Sequence, residues 1–341
     1  MGWGQSTTEG AATNPFSSSK DMAGYLVAAA VWAPSVQNTQ PWWFVSEAGE
    51  FSLYADAGRQ LTAADPAGRE MLISCGAALF TARLALRSLG WIPEHRLLPD
   101  PAERLLVARL RWRRRADPLS EELRLFGQVW QRRSHRGGFD PVPLTARFLA
   151  ALRSGAERYG ATLRLVSDPA EVAALAAVVR TAEEASRLDG MRVREAAVWA
   201  SPPGSRRPDG VPATAYPARS ARLVPDFPTR DFAHGCGWGL PPSGAQAGAR
   251  WVGQVCVLTT VGDDPVDWVN AGQALQRMLL TSSACGVAAA MHSQPIESDW
   301  LRASVRAQLG GGYPQVVLRL GTVAQNAVSV RRPPADVLSH V

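Results

Sequence analysis

The sequence predicts an α+β protein of two similar halves, in which mainly antiparallel sheets are flanked by helices. Long segments of helical periodicity alternate with short strand-like segments along the chain. The apolar helix at 76–90 is matched by a helix at 272–286, with glycine at both ends and Ala and Leu identities between them. A strand pattern follows each helix, at 107–110 and at 317–320. Because helix and strand occur twice in the same order, we predict an internal duplication.

The first half, predicted to span 20–118, follows a Ser-, Thr- and Gly-rich tail at 1–19 that we expect to be flexible. Its first helix ends before Pro34, because the residue that precedes a proline avoids helical backbone. The predicted elements are a helix at 20–32, strands at 42–45 and 51–54, a helix at 71–89 and a strand at 104–112.

The second half, predicted to span 119–341, repeats this plan with additions. Between its elements, residues 201–249 are rich in Pro, Gly, Arg and Ser. A long irregular stretch inside a compact protein is usually functional or disordered, so we predict a candidate lid there. The predicted elements are helices at 125–133, 144–159 and 169–188, strands at 162–166 and 252–259, helices at 267–284 and 296–309, and a strand at 315–320.

The charge balance does not indicate a nucleic-acid-binding protein. The chain carries 36 Lys and Arg against 30 Asp and Glu, a net charge of +6. Nucleic-acid binders concentrate charge on one face and carry a recognisable module, and neither is visible here. The densest basic run, Arg111 to Arg115, is predicted to be a solvated strand end, although arginine also suits a phosphate ester. We therefore expect no nucleic-acid partner.

Neither a metal site nor a membrane span is predicted. Four cysteines lie far apart without a CxxC pair, and the five histidines show no metal-binding spacing. His234 and Cys236 share a Gly-rich loop, but two ligands do not make a metal site. No apolar run approaches the ~20 residues of a membrane helix, and residues 1–20 lack the apolar region of a signal peptide. We expect a cytoplasmic protein with no membrane partner.

A loop bracketed by two prolines, APSVQNTQPW, separates the first predicted helix from the first strand. Pro34 and Pro41 restrict the backbone and favour a rigid loop. Ser35, Asn38 and Gln40 can present hydrogen-bond donors and acceptors from it. An ordinary helix-to-strand turn can have the same composition, so these residues alone leave both interpretations open.

A basic segment, RRSHR, follows a predicted helix in the second half. Its Arg132, Ser134 and Arg136 alternate along the chain, so in extended backbone they face the same side. Such a set suits a terminal phosphate, because each charge-assisted hydrogen bond contributes roughly 1.5–3 kcal/mol. A solvated basic turn is the alternative.

Two further segments can take part in binding. The segment QPIES, at 294–298, precedes a helix. The first N–H groups of a helix lack partners within it and can bind a cofactor nitrogen or carbonyl, although a plain helix start is the alternative. The segment RRPP, at 331–334, is by itself a charged tail.

Together these segments resemble the nitroreductase superfamily of FMN proteins, and within it the Acg family of FMN-binding oxidoreductases. The APSVQNTQPW loop, the RRSHR segment, the AGQALQRMLLTSSACG helix leading to QPIES, and the RRPP segment occur in the family's order, from about Lys20 onward. The resemblance implies a nitroreductase-like fold. Ordinary nitroreductases are homodimers with FMN at the interface, where one subunit supplies an Arg-x-Ser-x-Lys/Arg phosphate grip and the other a Pro-Ser-x-x-Asn loop.

In this chain each half has only one of those two elements, the loop in the first and the Arg-Ser segment in the second. We therefore predict one composite FMN site in a monomer whose two tandem nitroreductase-like repeats mimic the homodimer. The resemblance implies that the phosphate or the pyrimidine edge is held by Arg132, Ser134, Arg136 and Arg331. It implies that the isoalloxazine is bordered by Pro34, Ser35, Val36 and Asn38, and that its N5 and O4 are faced by the backbone around Glu297 and Ser298. Gln40, Pro295 and Ile296, from the same two segments, are also predicted to bind the cofactor.

The resemblance implies an FMN-dependent oxidoreductase that transfers two electrons, as a hydride, between the flavin and a small conjugated substrate. NAD(P)H is the candidate reductant, and no side chain is assigned as catalytic because the chemistry is centred on the flavin. Family members commonly have glycine where Ser298 stands, and a side chain there can restrict substrate approach. The alternative is a protein that sequesters or stores FMN under a closed lid, with little turnover.

Overall fold

The computed structural model describes residues 19–47, 49–215, 220–231, 246–324 and 328–340. The helices are α1 (Ser19–Ala30), α2 (Arg69–Ser88), α3 (Ser120–Phe126), α4 (Ala146–Glu157), α5 (Pro169–Leu188), α6 (Gly190–Val198), α7 (Pro265–Ala284) and α8 (Asp299–Gln308). The strands are β1 (Trp42–Glu47), β2 (Glu50–Ala55), β3 (Trp91–Leu97), β4 (Leu106–Arg115), β5 (Ala161–Val166), β6 (Ala200–Ser201), β7 (Val211–Pro212), β8 (Ser220–Leu223), β9 (Gln246–Arg250), β10 (Gln254–Thr260), β11 (Ala288–His292), β12 (Tyr313–Gly321) and β13 (Leu338–His340).

Two sheets are the framework of the fold, one built mainly from the predicted first half and the other from the predicted second half. The first has five strands in the order β13-β1-β2-β4-β3, and the second has four in the order β11-β12-β10-β5. Every pair in these sheets is antiparallel except β13 with β1. Buried apolar residues of α1 and α2 cover the first sheet, and those of α4 and α7 cover the second. The predicted α+β class with mainly antiparallel sheets is confirmed.

Helices α2 and α7 pack against each other at the centre, between the two cores. A Cβ atom added to Gly76 would lie 2.1 Å from the carbonyl oxygen of Val269, and one added to Gly272 would lie 2.0 Å from that of Ile73. Both distances are far below van der Waals contact. The two backbones therefore touch at these glycines, and no side chain fits between them.

By length and composition alone, α2 could cross a membrane, which the search for apolar runs did not predict. Within the described part of the chain it is the one helix that meets this criterion. However, 78% of its most apolar window is buried inside the protein. The helix is apolar because it is packed on both sides, by α1 and the first sheet and by α7.

The last described strand crosses back to the first half. Strand β13 pairs in parallel with β1, placing Leu338 opposite Phe44, and the backbone N–H of Phe44 donates to the carbonyl of Val337 at 2.8 Å. Residues from the end of the predicted second half thus complete the sheet of the first half. The segment that leads into β13 is thereby held beside the Pro34–Pro41 loop.

Two predicted elements were wrong in position. The helix predicted at 125–133 is α3, which ends at Phe126, and residues 127–131 form turns instead. The helix predicted at 296–309 begins only at Asp299, because Ser298 has extended backbone (φ −112°, ψ 125°) that separates α8 from a short 3-10 turn at Gln294–Ile296.

Strand β3 was not predicted, although it follows α2 directly. It contains Pro93, and a proline weakens a strand pattern because it cannot donate a hydrogen bond to a neighbour. In the structure β3 is an edge strand, and its pairing with β4 shifts register between Ile92 and Pro93. An edge and a register shift are the two places where a sheet accepts a proline.

The candidate lid at 201–249 is described only in part. Residues 216–219 and 232–245, which include His234 and Cys236, lie outside the described residues. The remainder is not structureless, since it forms the short parallel pairs β6 with β7 and β8 with β9.

Candidate functional site

Two adjoining cavities lie where the Pro34–Pro41 loop meets the RRSHR segment. The larger encloses about 930 Å³ and the smaller about 370 Å³, both including space open to solvent. Pro34 and Ser35 from the first half and Ser134 and Arg136 from the second line both of them. The loop and the basic segment, which lie about a hundred residues apart in sequence, therefore border the same space.

The Pro34–Pro41 loop has an unusual backbone conformation that is stabilised by hydrogen bonds. Gln37, Asn38 and Gln40 have φ values of 48°, 55° and 51°, a region that non-glycine residues rarely adopt. The Oγ of Ser35 accepts a hydrogen bond from the backbone N–H of Gln40 at 2.9 Å. The backbone N–H of Val36 donates to Ser74 on α2 at 3.3 Å. The loop is thus fixed both to itself and to the central helix.

Four arginines lie close enough to affect one another's charge, and we call them the arginine cluster (Arg132, Arg133, Arg136 and Arg331); three of them contact Trp32. Arg132 and Arg331 donate to the Trp32 carbonyl at 3.4 Å and 3.3 Å. The guanidinium carbons of Arg133 and Arg331 lie 4.7 Å and 5.5 Å from the centroid of its ring. Arg136 and Arg331 line the smaller cavity, whereas Arg132 and Arg133 line a third cavity nearby. The RRSHR segment and the segment before β13 thus together form one concentration of positive charge.

The positive charges of the cluster repel one another. No carboxylate pairs with Arg132, Arg133 or Arg331 among the residues that the structure describes. Burial, reinforced by the charges of Arg133 and Arg136, lowers the pKa of Arg132 to about 10. Burial and the same neighbours, with Arg132 added, lower the pKa of Arg331 well below its usual range. An anion placed here would relieve this repulsion.

Several buried donors of the cluster also lack hydrogen-bond partners. They are Nε and Nη1 of Arg132 and Nε of Arg331, each without a partner in the described part of the chain. Leaving a charged donor buried and unpaired costs more than leaving a neutral one. Native proteins rarely tolerate this except at sites where a ligand supplies the partner. The cluster therefore has the charge and the free donors of an anion-binding site.

The larger cavity is lined by apolar side chains and by a few charged ones. Besides Pro34 and Val36, the apolar side chains that line it are Ile73, Leu275, Met291, Ile296 and Val316. Its charged lining residues include Glu70, from the first turn of α2, and Arg230. Burial, first, and the charge of Glu297, second, raise the pKa of Glu70 to about 8. A pocket that combines apolar walls with a few polar groups of shifted pKa is typical of a ligand-binding or active site.

Comparison with known proteins identifies the family. The chain is 33% identical over 318 residues to a protein of Mycobacterium tuberculosis H37Rv named "Putative NAD(P)H nitroreductase Rv3131", covering 92% of this chain and 88% of that relative. This chain belongs to the nitroreductase superfamily. It is also 26% identical over 326 residues to the M. tuberculosis protein named "Putative NAD(P)H nitroreductase acg", covering 94% of this chain and 96% of the relative. The resemblance to the Acg branch is confirmed.

Two other comparisons add little to this assignment. A crystal structure of a nitroreductase with bound FMN from Bacteroides fragilis aligns with a TM-score of 0.34 and 14% identity, covering 61% of this chain and 92% of that one. A scan against protein-family models finds no match. The family assignment therefore rests on the sequence relatives.

Most of the predicted site residues of this nitroreductase-superfamily protein border the two cavities. The residues that line one or both are Pro34, Ser35, Val36, Asn38, Ser134, Arg136, Ile296 and Arg331. Gln40 is instead fully buried, and its side chain bonds the Pro208 carbonyl at 2.9 Å and the Arg332 N–H at 2.8 Å. It supports the loop from behind. Contact of any of these residues with FMN stays a prediction.

Three residues of the QPIES segment lie away from the cavity lining, namely Pro295, Glu297 and Ser298. The side chain of Glu297 is fully buried, accepts from Arg192 at 3.1 Å and from Ser293 at 2.8 Å, and contacts Arg230. It is therefore occupied by protein groups. Its neighbours Gln294 and Ile296 are the residues of this segment that line the larger cavity.

Parts of the candidate lid line both cavities. Residues 210–212 line the smaller one, where Asn38 donates to the Gly210 carbonyl at 2.8 Å and the Gly210 N–H donates back to Asn38 at 3.2 Å. Thr229 and Arg230 line the larger one. Composition at 201–249 indicated a lid but no residue within it. Because its contacts are made by backbone and by one buried arginine, sequence pattern had no signal for them.

Glu70 was not predicted as a site residue. It stands at the start of an apolar helix, where an acidic residue is ordinary because it interacts favourably with the helix dipole. The signal that distinguishes it is burial beside a second carboxylate, Glu297, from 227 residues later in the chain. Only the tertiary structure shows that proximity.

Proposed function

We propose that this protein is an FMN-dependent oxidoreductase that transfers two electrons between the flavin and a small conjugated substrate, with NAD(P)H as reductant. The observation that carries the proposal is the pair of adjoining cavities, one bordered by Arg331, whose buried Nε has no hydrogen-bond partner in the described part of the chain, and the other walled by apolar side chains. FMN has these two chemical ends, a phosphate and a flat aromatic ring. The names of the relatives, NAD(P)H nitroreductases, support the reductant.

The smaller cavity suits the phosphate. Ser134, Arg136 and Arg331 line it, and a hydroxyl with two guanidinium groups is a donor set that phosphate oxygens prefer. Arg132 and Arg133 add positive charge from behind. These residues would bind and orient the cofactor, and their charge would favour an anion over a neutral flavin such as riboflavin.

The larger cavity suits the ring. Pro34, Ser35 and Val36 form one wall and Ile296 another, with Leu275 of α7 and Ile73 of α2 also in the lining. Apolar walls exclude water from a reacting site, which strengthens electrostatic interactions there. When bound, FMN supplies the two-electron chemistry, and the protein positions the ring and shields it.

We also propose that the chain arose by duplication and acts as a monomer with one site. The contacts of α2 and α7 support this, since Gly76 meets Val269 and Gly272 while Gly272 meets Ile73 and Gly76. Such reciprocal contacts are what a two-fold axis produces at the interface of a symmetric dimer. Gly76 corresponds in sequence to Gly272, and Ile73 to Val269, with the same separation along the chain in both cases.

The absorbance spectrum of the purified protein tests cofactor binding. We expect a yellow protein with one FMN per chain, identified by mass after release, in a particle of monomer size. Colourless protein that does not bind added FMN would overturn the proposed function. Two FMN molecules per chain would overturn the single composite site.

FMN storage is the second candidate, and the contacts of the candidate lid favour it. Residues 210–212 and 229–230 line the cavities, and they are held there by a hydrogen bond of Asn38 to the Gly210 carbonyl and by an ion pair of Arg230 with Glu297. Anaerobic mixing with NADPH and with NADH in a stopped-flow instrument distinguishes the two functions. We expect bleaching of the flavin within seconds for an oxidoreductase, whereas a flavin that stays oxidised with both would indicate storage.

A further inference from the structure

Asn38 lines the smaller cavity, but its side-chain amide is bonded within the protein. The Nδ2 atom donates to the Gly210 carbonyl at 2.8 Å and to the Val330 carbonyl at 3.3 Å. The Oδ1 atom accepts from Arg331 at 3.0 Å. A side-chain amide has two N–H donors, and both are used by these carbonyls. The resemblance implies that Asn38 borders the isoalloxazine, whereas the structure directs its amide to two other parts of the chain.

These partners also fix the orientation of the amide. In the reversed orientation, Nδ2 would face the guanidinium of Arg331 and Oδ1 would face the two carbonyls, and all of these contacts would be repulsive. Only one orientation therefore satisfies all three partners. Because Gly210 belongs to the candidate lid and Arg331 to the segment before β13, the amide of Asn38 joins both of them to the Pro34–Pro41 loop.

The backbones of Asn38 and Gly210 are bonded as well. The Gly210 N–H donates to the Asn38 carbonyl at 3.2 Å, so the two residues exchange two hydrogen bonds. Their φ values are 55° and 74°, in a region that asparagine and glycine adopt more readily than other residues. A Cβ atom added to Gly210 would lie 2.5 Å from the Trp199 carbonyl oxygen. The close approach of the candidate lid to the loop thus requires glycine at this position.

Arg331 is oriented by acceptors that carry no formal charge. Its Nη1 atom donates to Oδ1 of Asn38 at 3.0 Å and to the Val330 carbonyl at 2.7 Å. Its Nη2 atom donates to the carbonyls of Trp32 and Ala33 at 3.3 Å each. Such acceptors orient a guanidinium without cancelling its positive charge. The charge is therefore available to an anion in the smaller cavity, which Arg331 lines.

We propose that Asn38 is a positioning residue that couples the phosphate end of the site to the candidate lid, and that it does not bind the flavin ring. This inference rests on the proposed function. Oδ1 of Asn38 holds Arg331, and Nδ2 holds Gly210. An anion bound to Arg331 stabilises the orientation in which Arg331 donates to Asn38, and thereby the contact of Asn38 with Gly210. Binding of the phosphate and closure of the candidate lid then stabilise each other.

The affinities for FMN and riboflavin test the assignment of Asn38 to the phosphate end, because the two ligands share the isoalloxazine and only FMN has the phosphate. Asn38→Gly removes the amide and keeps a residue that tolerates a φ of 55°. Its dissociation constant for FMN, measured by quenching of flavin fluorescence, should rise by about 10-fold or more, and that for riboflavin by less than about 3-fold. Equal weakening of both ligands would show that Asn38 contacts the ring and would overturn the proposal.

Gln37→Gly is the matched control for the backbone. Gln37 has a φ of 48° in the same loop, but it lines the larger cavity and not the smaller one. Whatever its effect on the two affinities, their ratio should stay that of the wild type. An equal loss of the ratio in Gln37→Gly would mean that loop flexibility is the cause, which would contradict the role of the amide.

Asn38→Asp is a second variant of nearly the same size, and aspartate also tolerates this backbone. It keeps an acceptor for Arg331, but it has no N–H for Gly210 and adds a negative charge beside the guanidinium. It should also lower the affinity for FMN relative to riboflavin by about 10-fold or more. A wild-type ratio in both Asn38 variants would overturn the proposal.

Trypsin cleavage tests the coupling to the candidate lid without flavin. Arg206 is exposed and lies shortly before Gly210 in sequence, and cleavage after it requires the chain around it to open locally. Inorganic phosphate should slow this cleavage about 3-fold or more relative to sodium chloride of equal ionic strength, because it stabilises the closed form by binding. In Asn38→Gly the cleavage should be faster, and phosphate should not slow it. The fragment that ends at Arg206 is identified by mass.

The result of this experiment is independent of cofactor binding. Absence of the phosphate effect in the wild type, or its persistence in Asn38→Gly, would overturn the coupling even if the protein binds FMN. Protein that binds no flavin would overturn the proposed function, and the cleavage rates would still decide whether Asn38 links an anion at Arg331 to Gly210.

Discussion

Replacement of Gly272 by alanine is expected to destabilise the protein severely, because the new methyl group has no space. Its Cβ would lie 2.0 Å from the Ile73 carbonyl oxygen and 2.9 Å from the Gly76 Cα, both backbone atoms of α2. Overpacking typically costs 1–3 kcal/mol, and we expect about 3 kcal/mol or more because neither helix can yield by turning a side chain. The melting temperature should fall by about 6 °C or more.

The two helices must then separate, which affects the site as well as stability. Glu70, Ile73 and Ser74 of α2 and Leu275 of α7 line the larger cavity. We therefore expect the Gly272→Ala protein that remains folded to lose FMN more readily than the wild type. Gly76→Ala, with its Cβ 2.1 Å from the Val269 carbonyl oxygen, should behave in the same way.

Gly24→Ala is the matched control for this substitution. Gly24 also lies in a helix, α1, but a Cβ atom added there would meet nothing within 4 Å. Alanine there should be neutral or should stabilise the protein by about 0.5–1 kcal/mol, as expected for glycine replaced inside a helix. Equal melting temperatures for Gly272→Ala and Gly24→Ala would show that α2 and α7 do not make the described contact.

Replacement of Arg132 by methionine is expected to stabilise the flavin-free protein while weakening its binding of FMN. Arg132 is buried without a carboxylate partner, and two of its nitrogens have no described hydrogen-bond partner. Methionine fills similar space without the charge, which relieves repulsion from Arg133, Arg136 and Arg331. The melting temperature of the flavin-free protein should therefore rise.

The affinity for FMN should change in the opposite direction. Arg132 adds charge from behind the smaller cavity, so its loss should weaken binding by at most the roughly 1.5–3 kcal/mol of a direct charge-assisted hydrogen bond, which corresponds to a loss of up to about 10- to 150-fold in affinity. The dissociation constant, measured by quenching of free FMN fluorescence, checks this value. Arg124→Met, at an exposed position on α3, should change neither quantity. Unchanged FMN affinity in Arg132→Met would refute the assignment of the cluster to phosphate.

The sequence predicted the fold class and most helices because these depend on local pattern. Helix α5 was predicted at its observed bounds, since Asp168 and Pro169 form a strong helix start. The elements that were missed have weak local patterns. Strand β3 contains a proline, α6 follows α5 after a single residue, Asp189, and β13 is too short for a periodic pattern.

The site was predictable only where its residues lie in compact motifs. The proximity of the Pro34–Pro41 loop and the RRSHR segment followed from family motifs, and the shared lining of two cavities supports it. Glu70, Gly210 and Arg230 were not predicted, because their importance comes from neighbours that are distant in sequence. Contacts between residues that are distant in sequence leave no local pattern from which a single sequence could predict them.

The return of the chain from the second half to the first has a consequence during synthesis. Arg331 reaches the carbonyls of Trp32 and Ala33 at 3.3 Å each, and β13 anchors that segment to β1. The N-terminal half can begin to fold while the ribosome is still translating the remainder. The arginine cluster, to which the proposed function assigns the phosphate, is complete only after Arg331 has been synthesised, so a nascent chain that lacks this residue also lacks part of the proposed site.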